Sequence, residues 1–375
     1  MHYFICAGEP SGDLHASHLM AAIARIDTEA SFTFLGGDLM SEAAGKKPLI
    51  HYSRMAFMGF SEVLRNLRTI SGNMKTAKKA LKNSGADCFI AVDYPGFNLK
   101  LAKAAYRLGI PVYWYISPKV WAWKEYRVKS LRRYVRKMLC ILPFEIDYFR
   151  QRGVDAVYVG NPSLEEIDAR LACTPDKNEF CRQHGLPADK PLLALVPGSR
   201  KGEIRNNLPI MAAVASRHPE IQPIIAGAPG RYAEDYACAA GIPVVFDSTF
   251  TIMAIADAAL VTSGTATLEC ALARTPQVVC YRANGSRLSY NLMKMILHIP
   301  FVSLPNLIAG KRVIAEMLVH LCTADSVDTE LKAIMPGTPG QRRMLEGYDL
   351  IRSKLGTHGA AEKAAAAIVT DLDKS

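Results

Sequence analysis

The sequence predicts an α/β chain of two doubly wound halves, each a parallel sheet covered by helices, with a helical C-terminal extension. Three observations carry this expectation. Short apolar runs that do not alternate, as strands buried on both faces should read, recur between longer amphipathic segments. The series stops at Gly160-Asn161-Pro162 and a polar stretch carrying Pro175 and Pro187, then starts again at Leu192. Finally, 375 residues are too many for one ordinary core and about right for two.

In the first half, strands are expected at residues 3–7, 32–35, 88–92, 112–116, 138–142 and 157–159, with helical spacing over 14–26, 70–82 and 99–108. In the second half, strands are expected at 192–196, 223–225, 244–246, 258–261 and 278–281. Beyond Pro305 the pattern turns helical and ends with 360–372. The boundaries implied are a first domain over 1–165, a second over 166–340, and helices over 341–375 that pack back on the first domain or on a second subunit.

With 50% hydrophobic and 21% charged residues the chain is globular. No run approaches the ~20 apolar residues that span a bilayer, and the most apolar late segment, 288–304, is interrupted by Lys294 and His298. The start lacks a basic leader, so the expected compartment is the cytoplasm. Nine scattered cysteines without a C-x-x-C pair argue against zinc and disulfides. The net charge of +10 is concentrated between Lys119 and Lys137, where Lys124, Arg127, Lys129, Arg132, Arg133 and Arg136 face only Glu125. Such a face suits nucleic acid, an anionic membrane surface or a phosphorylated substrate, or is simply solvated.

In doubly wound sheets ligands sit outside the carboxyl ends of the strands, and the informative residues fall there. After the strand at 258–261, Ser263, Gly264 and Thr265 open a helix whose free N–H groups and dipole suit phosphate, and Glu269 one turn on suits a pair of sugar hydroxyls. The plainer alternative is a junction in which Ser263 or Thr265 caps and Glu269 is solvated. After the strand at 192–196, Gly198 and Ser199 offer backbone donors, and Arg200 a fork that can neutralise a departing diphosphate.

After the first strand, Gly8-Glu9-Pro10-Ser11-Gly12-Asp13-Leu14-His15 matches neither the dinucleotide fingerprint nor a P-loop, which disfavours a dinucleotide oxidoreductase. Glu9, Asp13 and His15 are acid or base candidates; alternatively Asp13 caps the helix and His15 lies on the surface. Asp93, in Val92-Asp93-Tyr94-Pro95-Gly96-Phe97-Asn98, is the leading base, since a carboxylate ending a buried strand is costly in a packing role. Its alternative is a capping or loop-tying role. In Ser117-Pro118-Lys119-Val120-Trp121-Ala122-Trp123 the aromatic pair can stack on sugars or on bases, or pack in the core, which is the default for either ring.

Taken in order, G-E-P-S-G-D, M-G-F-S-E-V-L, D-Y-P-G-F-N, S-P-K-V-W-A-W, P-G-S-R, S-G-T-A-T-L-E and S-L-P-N-L make the chain resemble, over nearly its whole length, the lipid A disaccharide synthase family of GT-B glycosyltransferases. The resemblance implies two Rossmann-like domains facing an interdomain cleft, the first binding acceptor and the second UDP-sugar. It implies transfer of diacylglucosamine from UDP-2,3-diacylglucosamine to 2,3-diacylglucosamine 1-phosphate, giving a β-1,6 disaccharide and UDP. On these motifs Asp93 matches the proposed base, Arg200 the arginine of P-G-S-R, Asn306 the asparagine of S-L-P-N, and Ser263, Thr265 and Glu269 the UDP loop. Some members carry Asp where this chain has Gly96, so a second carboxylate in that loop is no part of this account. The resemblance also implies a homodimer formed through a swapped C-terminal portion, and Gram-negative envelope synthesis.

An inverting transfer needs a base on the acceptor hydroxyl and stabilisation of the leaving UDP; neither metal nor cofactor is required if Arg200 and the helix N-terminus do the second task. Glu9 rivals Asp93 as the base. The competing functions are another GT-B activity, such as a UDP-sugar epimerase or a transferase on a soluble acceptor, and RNA binding through the basic run, for which no recognisable module exists. Met55, Phe57, Met58, Phe60, Val63 and Leu64, flanked by arginines, suit acyl chains and the anionic inner-membrane surface, which favours the lipid reading and peripheral attachment. A core helix is the other reading of that segment.

Overall fold

Strands buried on both faces set the architecture. In the computed structural model, which describes residues 1–55, 66–282 and 300–374, the chain divides into two compact units, Met1–Pro162 with the stretch from Thr357 onward, and Ser163–Gly356. Among the described residues the first unit holds β1 (His2–Ala7), β2 (Ser31–Leu35), β3 (Cys88–Val92), β4 (Val112–Tyr115), β5 (Lys137–Cys140) and β6 (Ala156–Tyr158), in the order β2-β1-β3-β4-β5-β6. The second holds β7 (Leu192–Val196), β8 (Gln222–Gly227), β9 (Val244–Phe246), β10 (Ala258–Thr262), β11 (Gln277–Tyr281) and β12 (Ala315–Leu318), in the order β12-β11-β10-β7-β8-β9. Each neighbouring pair is parallel.

The alternation of side chains builds a core on each face of the first sheet. Phe4, Cys6, Phe89, Ala91 and Trp114 enter one cluster; Tyr3, Ile5, Ala7, Ile90, Tyr113 and Tyr115 enter the other. That second cluster is completed by Ala364, Ala365 and Ile368 of the helix Ala360–Asp373, which packs along the helix Pro10–Ile26. Asp371 fixes the same helix to the sheet by accepting from the Tyr113 hydroxyl, Arg136 Nε and Lys137 Nζ at 2.7, 2.6 and 2.7 Å.

The C-terminal segment expected as one piece is therefore divided. The helix Pro339–Leu355 belongs to the second unit, where Met344, Tyr348 and Ile351 are buried, and only the chain beyond Gly356 returns to the first. β12 was not expected, because Glu316 interrupts its apolar run; that carboxylate accepts from the N–H groups of Val302 and Ser303 and from Asn306. No helix among the described residues is long and apolar enough to cross a membrane.

Candidate active site

Strand order decides which motifs meet. In the second unit the sheet reverses its order of winding between β7 and β10, which pair directly, and a doubly wound sheet binds its ligands at such a switch point. The P-G-S-R turn leaves β7 there and Ser263-Gly264 leaves β10. Between them lies a cavity of about 620 Å³ lined by Arg170, Gly198, Ser199, Arg200, Glu203, Asp247, Thr249, Ser263, Gly264, Thr265 and Glu269, among others.

The helix Thr265–Leu272 has Gly264, not Ser263 or Thr265, as its N-cap, and no side chain caps it there. Its first-turn N–H groups lack partners within the helix, apart from Thr267 N–H, which reaches the Gly264 carbonyl at 3.2 Å. The Thr267 hydroxyl donates to the same carbonyl at 2.7 Å. Glu269, mostly buried one turn on, has its carboxyl pushed up by burial, an effect that Arg170 partly offsets. Arg170 in turn lies 4.3 Å from the ring centre of buried Phe250.

The β7 turn differs from expectation in one respect. Glu203 Oε2 already accepts from the N–H groups of Ser199 and Arg200 at 3.1 and 3.2 Å, and Glu203 Oε1 pairs with Arg200 Nη1 at 3.2 Å. The donors expected for a phosphate are thus held by the chain's own carboxylate, while the guanidinium remains 78% exposed. Gly198 is required here: its φ is +106°, and a Cβ would lie 2.6 Å from Glu203 Oε2. Asn207, fully buried, ties the strand ends together by donating to the Thr262 hydroxyl at 2.9 Å and accepting from the Arg282 N–H at 2.7 Å.

In the first unit the switch point lies between β1 and β3, also direct neighbours, and it brings Glu9 and Asp93 to adjacent strand ends. Asp93 and Tyr94 both take left-handed backbone, φ +40° and +47°, a strained turn for non-glycine residues. Asn98, fully buried, holds it by donating to the carbonyls of Cys6, Val92 and Asp93. A Cβ on Gly8 would fall 2.3 Å from the Tyr94 ring, whose hydroxyl donates to the Met55 carbonyl at 2.6 Å. Burial, and then the charge of Glu9, push the Asp93 carboxyl up to about 6, against the pull of Lys119 and the Tyr94 N–H.

The other expected residues are placed differently. Asp13 caps not its own helix but the next, Asp38–Ala44, accepting from the N–H groups of Gly37, Leu39 and Met40. Asn306 is wholly buried and does not line the cavity: its amide donates to Ile314 O and Glu316 and accepts from Val313 and Ile314 N–H, so it shapes a loop. Met55, expected at an acyl surface, is 2% exposed in the core, while Phe57, Met58, Phe60, Val63 and Leu64 lie outside the described residues. Trp121 packs inward and donates to Glu145 at 3.0 Å. Sequence reasoning missed Arg170, Glu203, Asn207 and Asp247; only Glu203 had a local signal, its position three residues after the N-cap. Among the described residues no group of three or more His, Cys, Asp or Glu side chains is placed to hold a metal ion.

Solved structures with the same architecture include UDP-GlcNAc 2-epimerase from Neisseria meningitidis bound to UDP-GlcNAc (TM-score 0.61, 13% identity, 100% of each chain) and MurG from Acinetobacter baumannii (TM-score 0.55, 13% identity, 100% of this chain and 99% of that one). At such identity the likeness is one of fold, and the fold is GT-B, the architecture of a class of glycosyltransferases and epimerases. The sequence narrows the class. The family model for lipid-A-disaccharide synthetase matches residues 3–367. The lipid-A-disaccharide synthase of Myxococcus xanthus is 39% identical, covering 97% of this chain and 96% of that protein, and that of Syntrophus aciditrophicus is 38% identical, covering 99% and 98%. The chain belongs to the lipid-A-disaccharide synthetase family, and is a glycosyltransferase of lipid A biosynthesis.

Proposed function

We propose that the chain condenses UDP-2,3-diacylglucosamine with 2,3-diacylglucosamine 1-phosphate, with the second unit holding the UDP-sugar and the first supplying the base. The observation that carries the division of labour is the 620 Å³ cavity of the second unit, where a helix N-terminus, Arg200 and Glu269 line one space. The diphosphate takes the first-turn N–H groups of the helix Thr265–Leu272 and the Arg200 guanidinium, and the Glu269 carboxylate accepts from the ribose hydroxyls. Ser263, Gly264, Gly198 and Ser199 shape the phosphate end.

Asp93 takes the proton from the acceptor's primary hydroxyl as its oxygen bonds to the anomeric carbon; the bond from that carbon to the diphosphate breaks on the opposite face, and UDP departs with its charge met by Arg200. A carboxyl raised to about 6 is still mostly ionised at neutral pH, yet more basic than an ordinary aspartate. Glu9 tunes that basicity through its charge.

The acylated substrates place the protein peripherally on the anionic inner-membrane surface at the cytoplasmic side, and a homodimer belongs to the same proposal. The test is UDP release from UDP-2,3-diacylglucosamine with and without the acylated sugar phosphate. Release that requires both substrates is expected; equal release without acceptor, or epimerised UDP-sugar as the product, overturns the reading.

A further inference from the structure

The strongest unassigned surface lies on the first unit, where the chain leaves β4. Its root is buried: Glu145, 1% exposed, accepts from the Ser117 hydroxyl, the Trp121 indole N–H and the Leu142 N–H, and the Trp121 ring meets Phe144 edge-on at 5.0 Å. From this root the next turn projects two aromatic residues outward, Trp123 at 55% and Tyr126 at 69% exposure. The Lys124 ammonium sits 3.9 Å from the Trp123 ring centre.

The helix Val128–Tyr134 follows, with Val128 and Leu131 turned into the core and Lys129, Arg132 and Arg133 exposed. Between turn and helix is a groove of about 460 Å³ lined by Glu125, Tyr126, Val128, Lys129, Arg132 and Arg152. The one acid there, Glu125, pairs with Arg152 at 2.7 Å, and among the described residues Lys124, Lys129, Arg132 and Arg133 make no ion pair. Amphipathic rings beside unneutralised cations are the side chains that settle at the headgroup level of a bilayer.

We propose that this face seats the protein on a bilayer bearing anionic phospholipid headgroups, with Trp123 and Tyr126 entering the interface and a headgroup phosphate held in the groove by Lys129 and Arg132. The inference deepens the peripheral-membrane part of the function proposed above and rests on it. A nucleic-acid strand fits less well, because the basic run carries no recognisable nucleic-acid-binding module.

The chain carries its own reporter. Of its three tryptophans, Trp114 is fully buried and Trp121 is 7% exposed, so lipid contact reads out through Trp123. The full-length protein is mixed with phosphatidylcholine vesicles containing about 30 mol% phosphatidylglycerol and brominated acyl chains, and with phosphatidylcholine vesicles alone. Quenching by the anionic vesicles, reversed by salt and absent with the neutral ones, is expected. Trp123→Phe should still sediment with vesicles but lose the quenching. Tyr126→Ser with Lys129→Glu and Arg132→Glu should lower the vesicle-bound fraction about tenfold or more, with UDP release from detergent-dispersed substrates unchanged.

Sedimentation with anionic vesicles without quenching overturns this surface while leaving membrane attachment intact. No sedimentation at all overturns attachment itself. Duplex RNA that displaces the vesicles and binds more tightly at equal phosphate concentration overturns the lipid assignment in favour of nucleic acid.

Discussion

As the proposed base, Asp93 should make the acid limb of the pH–rate profile a measure of its surroundings. With the carboxyl at about 6, raised first by burial and then by Glu9, about one molecule in ten holds it ionised at pH 5, so kcat/KM should fall roughly tenfold per pH unit below 6. An ordinary aspartate would place that limb about two units lower. The acceptor's phosphate also titrates near 6, so the wild-type profile alone cannot identify the group. Two substitutions separate them, because neither changes the substrate. Glu9→Gln removes a like charge and should move the limb down, though only partway toward 4, since burial is the larger cause. Lys119→Met removes an opposing cation and should move it up. The assay is initial-rate UDP release from pH 4.5 to 8 at subsaturating acceptor. Asp93→Asn, which keeps the shape but cannot take the proton, should bind UDP normally and lose transfer steeply at every pH. An acid limb that stays in place in both charge variants, or robust transfer by Asp93→Asn beside a dead Glu9→Gln that still binds UDP, would refute the assignment and give the role to Glu9.

Arg200→Ala should lower kcat about a hundredfold or more with the fold intact, as loss of a leaving-group stabiliser does; a near-normal rate at saturating donor removes Arg200 from the chemistry. Glu269→Ala should raise the donor KM with little change in kcat, because the proposed ribose contacts would be made equally before and during reaction; a collapsed kcat at unchanged KM makes Glu269 catalytic instead. Asp371→Ala should destabilise the first unit by about 2 kcal/mol, since it strips an acceptor from Tyr113 and from two cations; denaturant melts read this, and an unchanged midpoint contradicts it. Burial opposes ionisation of Asp371, but the bonds from Lys137, Tyr113 and Arg136 outweigh it and hold the carboxyl at about 2. Its contribution is therefore present above the unfolded value of about 3.8 and lost as pH falls toward 2, a window absent from the Asp371→Ala melts.

Both strand ends that matter were legible in the sequence, because a doubly buried strand is an uninterrupted apolar run and its end is marked by the first Gly, Ser or Asp. Asp93 and Ser263 are found that way. The pairing of β1 with β3 and of β7 with β10 follows from the winding order of such sheets, which spacing alone does not give. What stayed hidden was where polar side chains spend their hydrogen bonds. Asn306 carries a motif that reads as a ligand contact, yet its donors and acceptors turn inward. Glu203 reads as an ordinary helix-start acid, yet it occupies the donors of its own turn. Arg170 carries no local signal, because it lies in the polar stretch between the two strand series and reaches the cavity only through the packing of its helix. β12 was hidden by Glu316, a charged residue whose partners lie about a dozen positions upstream.

The return of the chain to the first unit after Gly356 has a consequence for biogenesis. During synthesis the first 162 residues leave the ribosome long before the helix Ala360–Asp373 that covers Leu19, Ile23 and Tyr113. Until then the nascent first unit carries an uncovered apolar face, and all of the second unit is made in the interval. At ~5–20 residues per second, about 200 residues hold that face open for some 10–40 seconds, long enough for a holdase to engage it. A message cut short after Gly356 therefore yields a first unit whose sheet lacks the helix that completes one of its two cores.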